Sequence, residues 1–425
     1  MATQPPGSAA DRLPFPDPHG DRGGDGGTLP MRADDRLPAH ASKDGPSAAP
    51  TKARDGLHGM KRLRMAVVGV GHLGRHHARH LKSFPDVDLV GVVDASLQQA
   101  ETIARQLGTK AYDRFEPLLG QVDAVSIVTP TSFHHHVAAQ FLSRGVSALV
   151  EKPICKTVEE AEELIALARQ SGAALQVGHI ERFNPAFEEL VKRPITPKFI
   201  ESERHGPFTG RSTDIGAVLD LMIHDLDLIM TLVPGPVREV SAVGAAVLGG
   251  HEDMVNARLV FESGCVAHIT ASRISARPKR RLRIWAPEGY AGIDFVSRRV
   301  HFVQVSDEVR RQGLRVERMD QAARNRLKDE VFGRHLEVLS IDGDRNGDQL
   351  TAELRHFVDC VRGNRTPRVT GEAGRDALAM AHRILDSLRA HQWEGHPDGA
   401  IGPNKMPKPE GKLFDAPGAS QSEAA

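Results

Sequence analysis

The sequence predicts an α/β chain: a doubly wound parallel sheet in the N-terminal half, then a second α/β domain on an open-faced, largely antiparallel sheet. Three observations predict this. From Arg64 onward short apolar runs alternate with amphipathic stretches: RMAVVGV, GHLGRHHARHLKSF, DLVGVVD, SLQQAETIARQLG, AVSIVTP, HHHVAAQFLSRG and SALVEKP. Continuous apolar strands between helices indicate parallel βαβ units buried on both faces. Farther on, MVNARLVFESGCVAHITAS, LRIWAPEGYAGIDF and RRVHFVQV alternate apolar with polar residues, with a hairpin signal at Glu262–Gly264. Finally, 425 residues suit about two domains plus tails, at roughly 100–200 residues per domain.

The elements fall into four segments. Residues 1–59 are rich in Pro and Gly, hold one aromatic (Phe15), and show neither helical nor strand period; they read as a disordered extension. Met60 and Met65 stand just before the first strand and offer an alternative start, and the extension is otherwise a candidate partner-binding arm. Residues 60–183 form the first domain, closing with the helix EEAEELIALARQSG and the strand opening AALQVGHIERF. Residues 184–398 form the second, ending in two amphipathic helices, AELRHFVDCVRG and GRDALAMAHRILDSLRAH, expected to pack back on the first. Residues 399–425 read as a disordered tail. No internal repeat is seen.

Lys+Arg and Asp+Glu are equal at 55 each, so no overall field favours nucleic acid or an anionic membrane. Cys155, Cys265 and Cys360 lie far apart without CxxC or zinc-ligand spacing, which suits a reducing cytoplasm and buried thiols. No run of 18 apolar residues and no secretory leader pattern occurs, so neither export nor membrane spanning is expected.

The motif GVGHLG places Gly69, Gly71 and Gly74 directly after a strand and at the head of a helix, with His72 and Leu73 between the last two glycines. This is the Rossmann dinucleotide fingerprint. Gly69 allows the tight turn, Gly71 lets a pyrophosphate approach the backbone, and Gly74 lets helix and strand pack closely. Asp94, about twenty residues on at the end of LVGVVD, can accept hydrogen bonds from ribose hydroxyls and would repel a 2′-phosphate. Ala95, Ser96 and Leu97 supply no arginine for that phosphate, so NAD is favoured over NADP.

With GVGHLGRHHARHL, TPTSFH, EKP, RFNP and DLMIHDLD in order, the chain resembles the glucose–fructose oxidoreductase, inositol dehydrogenase and MocA family. The resemblance implies a Rossmann domain followed by an open-faced sheet that mediates dimers or tetramers. It also implies that the EKP residues Glu151 and Lys152 stand beside the nicotinamide, and that the D-x-x-x-H pair Asp220 and His224 supplies the other reactive groups. The chemistry is coherent. A partly buried ammonium at Lys152 donates strongly to an alcohol or developing ketone, and His224 can accept the alcohol proton as hydride leaves. Asp220, four residues before His224, would share its helix face and orient the imidazole or a sugar hydroxyl. Asp227 could join that face, and Asp225 is expected to be solvated.

TPTSFH resembles the family's TPNxxH loop, placing Thr129, Pro130 and His134 against the nicotinamide half of the cofactor; Thr131 stands where Asn is common. His134, His135 and His136 are adjacent, so they cannot share one face, and no metal is expected. Arg182 and Asn184 of RFNP would line the cleft as substrate-side polar groups or else hold the domain junction.

The resemblance further implies oxidation of a secondary alcohol of a sugar, cyclitol or nucleotide sugar. GHIERFNPAF, LDLMIHDLDL and SRISARPKRRLRIWAPEGY resemble a bacterial subgroup that oxidises the 3-hydroxyl of UDP-N-acetylglucosamine, whose 3-keto product an aminotransferase takes toward lipid A. Arg273, Lys279, Arg280, Arg281 and Arg283 form a basic stretch that could meet a diphosphate, or else a solvated strand face or oligomer interface. The alternatives are a free-sugar or inositol dehydrogenase and a non-catalytic NAD-binding regulator.

Overall fold

The computed structural model describes residues 61–210, 215–344 and 347–407; the expected N-terminal extension lies outside the described residues. The first half alternates strand and helix through β1 (Leu63–Val68), α1 (Gly74–Ser83), β2 (Val87–Val93), α2 (Leu97–Leu107), β3 (Lys110–Tyr112), β4 (Ala124–Ile127), α3 (His134–Leu142), β5 (Ser147–Glu151), α4 (Val158–Ser171) and β6 (Leu175–Gly178). These strands all pair in parallel in the order β3-β2-β1-β4-β5-β6, the doubly wound order expected.

Local signals set the helix ends. The Ser96 side chain caps α2 at the Gln99 amide, and Thr157 with Glu160 forms a reciprocal capping box on α4. Gly108 and Gly172 close the same two helices with φ of 61° and 72°, a conformation open to glycine. The pleat of β1 then divides the interior. Met65 and Val67 face one layer with Leu81 and Ile103, while Ala66 and Val68 face the other with Phe141 and Leu164. Burial on both faces is why these strands read as unbroken apolar runs.

The second half contains α5 (Pro185–Val191), β7 (Phe199–His205), α6 (Ile223–Leu232), β8 (Val237–Ala245), β9 (Met254–Phe261), β10 (Val266–Ser272), β11 (Lys279–Ala286), β12 (Gly289–Asp294), β13 (Arg299–Val305), α7 (Asp307–Gln312), α8 (Gln321–Glu330), β14 (Leu336–Asp342), α9 (Gln349–Gly363) and α10 (Gly371–Ala390). Its strands make one sheet in the order β14-β13-β12-β11-β7-β10-β9-β8. Only β7 and β10 run parallel; the other pairs are antiparallel. The hairpin predicted at Glu262–Gly264 joins β9 to β10, with Gly264 at φ 82°.

One face of this sheet, through Ile200, Leu259, Ile269, Leu282 and Ile284, packs on Leu226 and Ile229 of α6 and Ile384 of α10. The opposite face carries an aromatic row, Phe199–Trp285–Tyr290, with ring centroids 5.2 Å apart. The last two helices return to the first sheet, as the sequence suggested. Leu350, Leu354, Phe357 and Val358 of α9 lie in one core with Met65 and Leu89, and α10 places Leu378 against the β5–β6 layer and Ile384 in the second core.

One expectation changes at the C-terminus. Residues 399–407 are not tail-like: the Gly402 amide donates to the His391 carbonyl at 2.9 Å, and the Trp393 Nε1 donates to the Gly402 carbonyl at 2.9 Å. The cysteines are free and buried, and burial pushes the Cys155 thiol up to about 12. No helix among the described residues is long and apolar enough to cross a membrane.

Because Phe357 is fully buried between α9 and the β1–β2 layer, Phe357→Ala should cost about 3–5 kcal/mol in urea unfolding. A loss below roughly 1 kcal/mol would mean that α9 is not part of that core.

Candidate active site

The loops after β1, β2, β4, β5 and β6 all open at the same edge of the parallel sheet, where ligands bind in open α/β folds. At the turn after β1, Gly69 has φ 88°, and a Cβ there would lie 2.6 Å from the Val128 carbonyl oxygen. A Cβ on Gly74 would sit 1.8 Å from the Gly69 carbonyl oxygen. Gly71 is different: nothing lies within 4 Å of its Cβ position, so the backbone there is open to an approaching group. His72 and Leu73 are exposed on the same turn, and α1 has no side-chain N-cap.

Asp94 stands beside this turn because its carboxylate accepts from the Val70 and Ser96 amides, both at 3.0 Å. Thr129, after β4, has a buried hydroxyl without a hydrogen-bond partner among the described residues, and Pro130 next to it is exposed. An open glycine backbone, a fixed carboxylate and an orphaned hydroxyl on one edge fit a dinucleotide.

Lys152 ends β5 at the mouth of this edge. Its Nζ donates to the Asp220 carbonyl at 2.7 Å and to the Asp220 carboxylate at 3.3 Å. Asp220 lies not in a regular helix but in a wider π-helical turn, Val218–Met222, that runs straight into α6. The expected Asp220–His224 orientation is therefore replaced by an Asp220–Lys152 ion pair, and among the described residues no hydrogen bond joins Asp220 to His224. His224, on the first turn of α6, has a buried Nδ1 without a hydrogen-bond partner among the described residues, and its ring meets that of His179 edge-on at 6.3 Å. Burial first, then the charges of Lys152, Arg204, His179 and Arg280, push the His224 imidazolium well below its ordinary 6.5.

Several expected ligand contacts turn out to be contacts within the protein. His134 is buried, with Nδ1 2.9 Å from the Pro153 carbonyl and Nε2 2.8 Å from the Thr129 carbonyl; it braces the Thr129 and Lys152 loops. His135 pairs with Glu163 at 2.8 Å, and His136 packs on Phe115, so the three histidines go separate ways. Glu151 is also buried. Its carboxylate faces His77 at 3.3 Å and accepts from the Lys152 amide at 3.2 Å, in space left by Gly178. Burial works to raise this carboxyl, but His77 and Lys152 together outweigh it and the net direction is downward.

The junction residues form buried ion pairs. Arg182 donates twice to Asp227, at 2.7 Å each, the junction alternative that the sequence left open for it. Asn184 caps α5 through the Ala186 amide and donates to Glu181; it too is structural. Asp225 was expected in solvent but is 1% exposed, accepting from Arg204 Nε and Nη2 at 2.9 Å each. Arg204 reaches Glu181 as well, at 2.8 Å. Of the basic stretch, Lys279, Arg281 and Arg283 pair with Glu203, Asp294 and Glu201 on the open face, and Arg273 with buried Asp253.

Residues 63–179 match the family model described as the oxidoreductase family with an NAD-binding Rossmann fold, and residues 191–291 match the GFO/IDH/MocA C-terminal domain. A UDP-N-acetylglucosamine 3-dehydrogenase from Acidithiobacillus ferrooxidans is 36% identical over 334 residues, covering 78% of this chain and 99% of that protein. The chain belongs to the Gfo/Idh/MocA oxidoreductase family. It is an NAD-dependent dehydrogenase acting on CH–OH donors. The solved structure of that Acidithiobacillus enzyme has a TM-score of 0.67 at 35% identity, covering 77% of this chain and 98% of its own. The scyllo-inositol 2-dehydrogenase (NAD(+)) of Bacillus subtilis is 29% identical, covering 72% of this chain and 89% of that protein. A solved myo-inositol 2-dehydrogenase from Lactobacillus plantarum, at 22% identity and TM-score 0.60, shares the fold.

Three residues at the site escaped sequence reasoning. His179, directly after β6 in GHIERF, has both ring nitrogens buried without hydrogen-bond partners among the described residues. Its place at a parallel strand's C-terminal end was the available signal. Arg204 and Ser202 alternate with Glu201 and Glu203 along β7, so period two alone put Arg204 on the packed face. Glu353, on α9, had no local signal; burial, then Glu151 and Asp227, raise its carboxyl well above 4.5.

Since Asp225 ties α6 to β7, Asp225→Ala leaves Arg204 buried with Glu181 alone. It should cost about 3–5 kcal/mol in chemical unfolding; a cost under roughly 1 kcal/mol would show that the pair does not hold α6.

Proposed function

We propose that this chain oxidises the 3-hydroxyl of UDP-N-acetylglucosamine to the 3-keto sugar, with NAD as acceptor. The observation that carries the reading is the Lys152 ammonium, held at the edge of the nucleotide fold by Asp220 and facing the same opening as His224, in a chain that aligns with nearly the whole of a relative bearing that activity. The glycine turn Gly69–Gly74 and Asp94 hold the cofactor, with Thr129 and Pro130 beside its nicotinamide half. NAD, when bound, supplies the hydride acceptor.

His224 takes the hydroxyl proton. Its imidazole is neutral at pH 7 because burial, reinforced by the Lys152 charge, opposes protonation. Lys152 donates to the same oxygen as it becomes a carbonyl, stabilising the partial negative charge that develops. Asp220 keeps the ammonium oriented. The 3-keto product suits a later amination, so an aminotransferase is the natural consumer. In this reading residues 60–183 bind nucleotide and 184–398 bind substrate, the open sheet face with its Phe199–Trp285–Tyr290 row mediates a homodimer or homotetramer, and the enzyme works in the reducing cytoplasm.

A second reading, a free-sugar or inositol dehydrogenase, draws on the likeness to the Bacillus subtilis scyllo-inositol enzyme. The two separate in one assay: purified protein, NAD, a glutamate-dependent aminotransferase, and a panel of UDP-sugars, free sugars and inositols, followed by NADH absorbance. Turnover with UDP-N-acetylglucosamine is expected. Turnover with polyols alone would establish the second reading, and no turnover at all would point to an NAD-binding regulator.

Lys152→Met should lower kcat roughly 10²–10⁴-fold while NADH binding by fluorescence stays unchanged; wild-type rates would remove the lysine from the mechanism. For pH, loss of activity follows protonation of His224. Because its folded-state value is depressed, the acid limb of kcat/KM should fall below pH 6.5; a limb above that would assign the base elsewhere.

A further inference from the structure

The basic stretch of β11 is sorted by the pleat. Lys279, Arg281 and Arg283 point to the open face, each beside a carboxylate of a neighbouring strand. Leu282 and Ile284 point to the packed face and are fully buried. Arg280 shares that packed face, at the end of the strand where the core gives way to solvent, and it is exposed. Its register partner on β7 is Arg204, whose guanidinium is consumed by Asp225 and Glu181. The Arg280 side chain has no hydrogen bond or ion pair among the described residues, while its backbone is pinned through the Phe295 amide at 3.0 Å.

Two like charges at facing positions repel unless each has a counter-charge. Arg204 has two, and Arg280 has none. The carboxylates nearest the cleft are committed to other cations: Asp220 to Lys152, Asp227 to Arg182, and Asp225 and Glu181 to Arg204. Arg280 still lies close enough for its charge to act on both His224 and Glu181. A planar guanidinium on a fixed strand, across the ladder from the Arg204 that holds α6, matches a phosphate in a bidentate fork.

We propose that Arg280 binds the sugar-linked phosphate of the substrate and thereby sets the preference for a phosphorylated sugar over a neutral polyol. This rests on the reading above, in which Lys152 and His224 act on a sugar hydroxyl. The geometry of the substrate class agrees. In a sugar 1-phosphate or its nucleotide ester the anomeric phosphate is two ring carbons from the 3-position, so a cation near the base can reach it.

The test compares wild type with Arg280→Ala, Arg280→Lys and, on the opposite face, Arg281→Ala. UDP, UDP-N-acetylglucosamine and N-acetylglucosamine 1-phosphate are titrated by calorimetry, with NADH binding as the control for folding. Arg280→Ala should weaken UDP and N-acetylglucosamine 1-phosphate roughly 10- to 100-fold, Arg280→Lys less, with KM rising more than kcat falls and NADH affinity unchanged. Arg281→Ala should bind both like wild type. Weakening of UDP but not of the monophosphate would place Arg280 on the nucleotide side and overturn the assignment to the sugar-linked phosphate. Wild-type affinities in Arg280→Ala, or an equal loss in Arg281→Ala, overturn the proposal while leaving the UDP-sugar reading intact. A wild-type protein that binds none of the phosphorylated ligands and oxidises polyols alone overturns both.

Discussion

Arg204 is buried between Asp225 and Glu181, and this cluster fixes how α6, with His224 on its first turn, packs against the end of the parallel sheet. Asp225 follows His224 on α6, Glu181 lies just after β6, and Arg204 lies on β7, so one guanidinium ties together the helix carrying His224, the end of the parallel sheet and the second sheet. Removing any one partner leaves a charge with nowhere to go, which makes such a cluster costly to break even where its formation adds little. The Arg182–Asp227 pair, on the next turn of α6, repeats the arrangement. Helix rotation is thereby fixed at two points, and with it the direction of His224.

The same cluster sets the electrostatics of the cleft. Each buried carboxylate in it is matched to a cation, so the imidazole of His224 meets an environment in which burial and neighbouring positive charge both favour its neutral form. The Lys152 side chain is held by the Asp220 carboxylate, on the turn that leads into α6. The π turn at Val218–Met222 is the local device that permits it, since it turns Asp220 to Lys152 instead of leaving it stacked under His224.

The cofactor side depends on less. A strand, a glycine turn and a helix suffice to shape it, and its demands are steric: a Cβ at Gly74 would overlap the Gly69 carbonyl. Such constraints act between residues a few positions apart, which is why GVGHLG and Asp94 could be read directly from the chain. His134 shows the limit of motif reading. Its position in TPTSFH was legible, but both ring nitrogens turn to carbonyls of the chain, a fact set by the distant Lys152–Pro153 loop.

By itself the sequence determined the parallel sheet with its helices, the antiparallel second sheet, the hairpin at Gly264 and the glycine turn, because each follows from apolar period or short-range sterics. Tertiary structure alone decided the fate of the polar residues. Asp225 read as a solvent-facing group and proved to be a buried partner, Arg182 and Asn184 took the junction alternative that the sequence had left open, and His179, Arg204 and Glu353 came in from segments far apart in the chain. The physical reason is that hydrophobic burial is written in local periodicity, whereas a buried charge is stable only beside a counter-charge, and which counter-charge it meets depends on how distant elements pack.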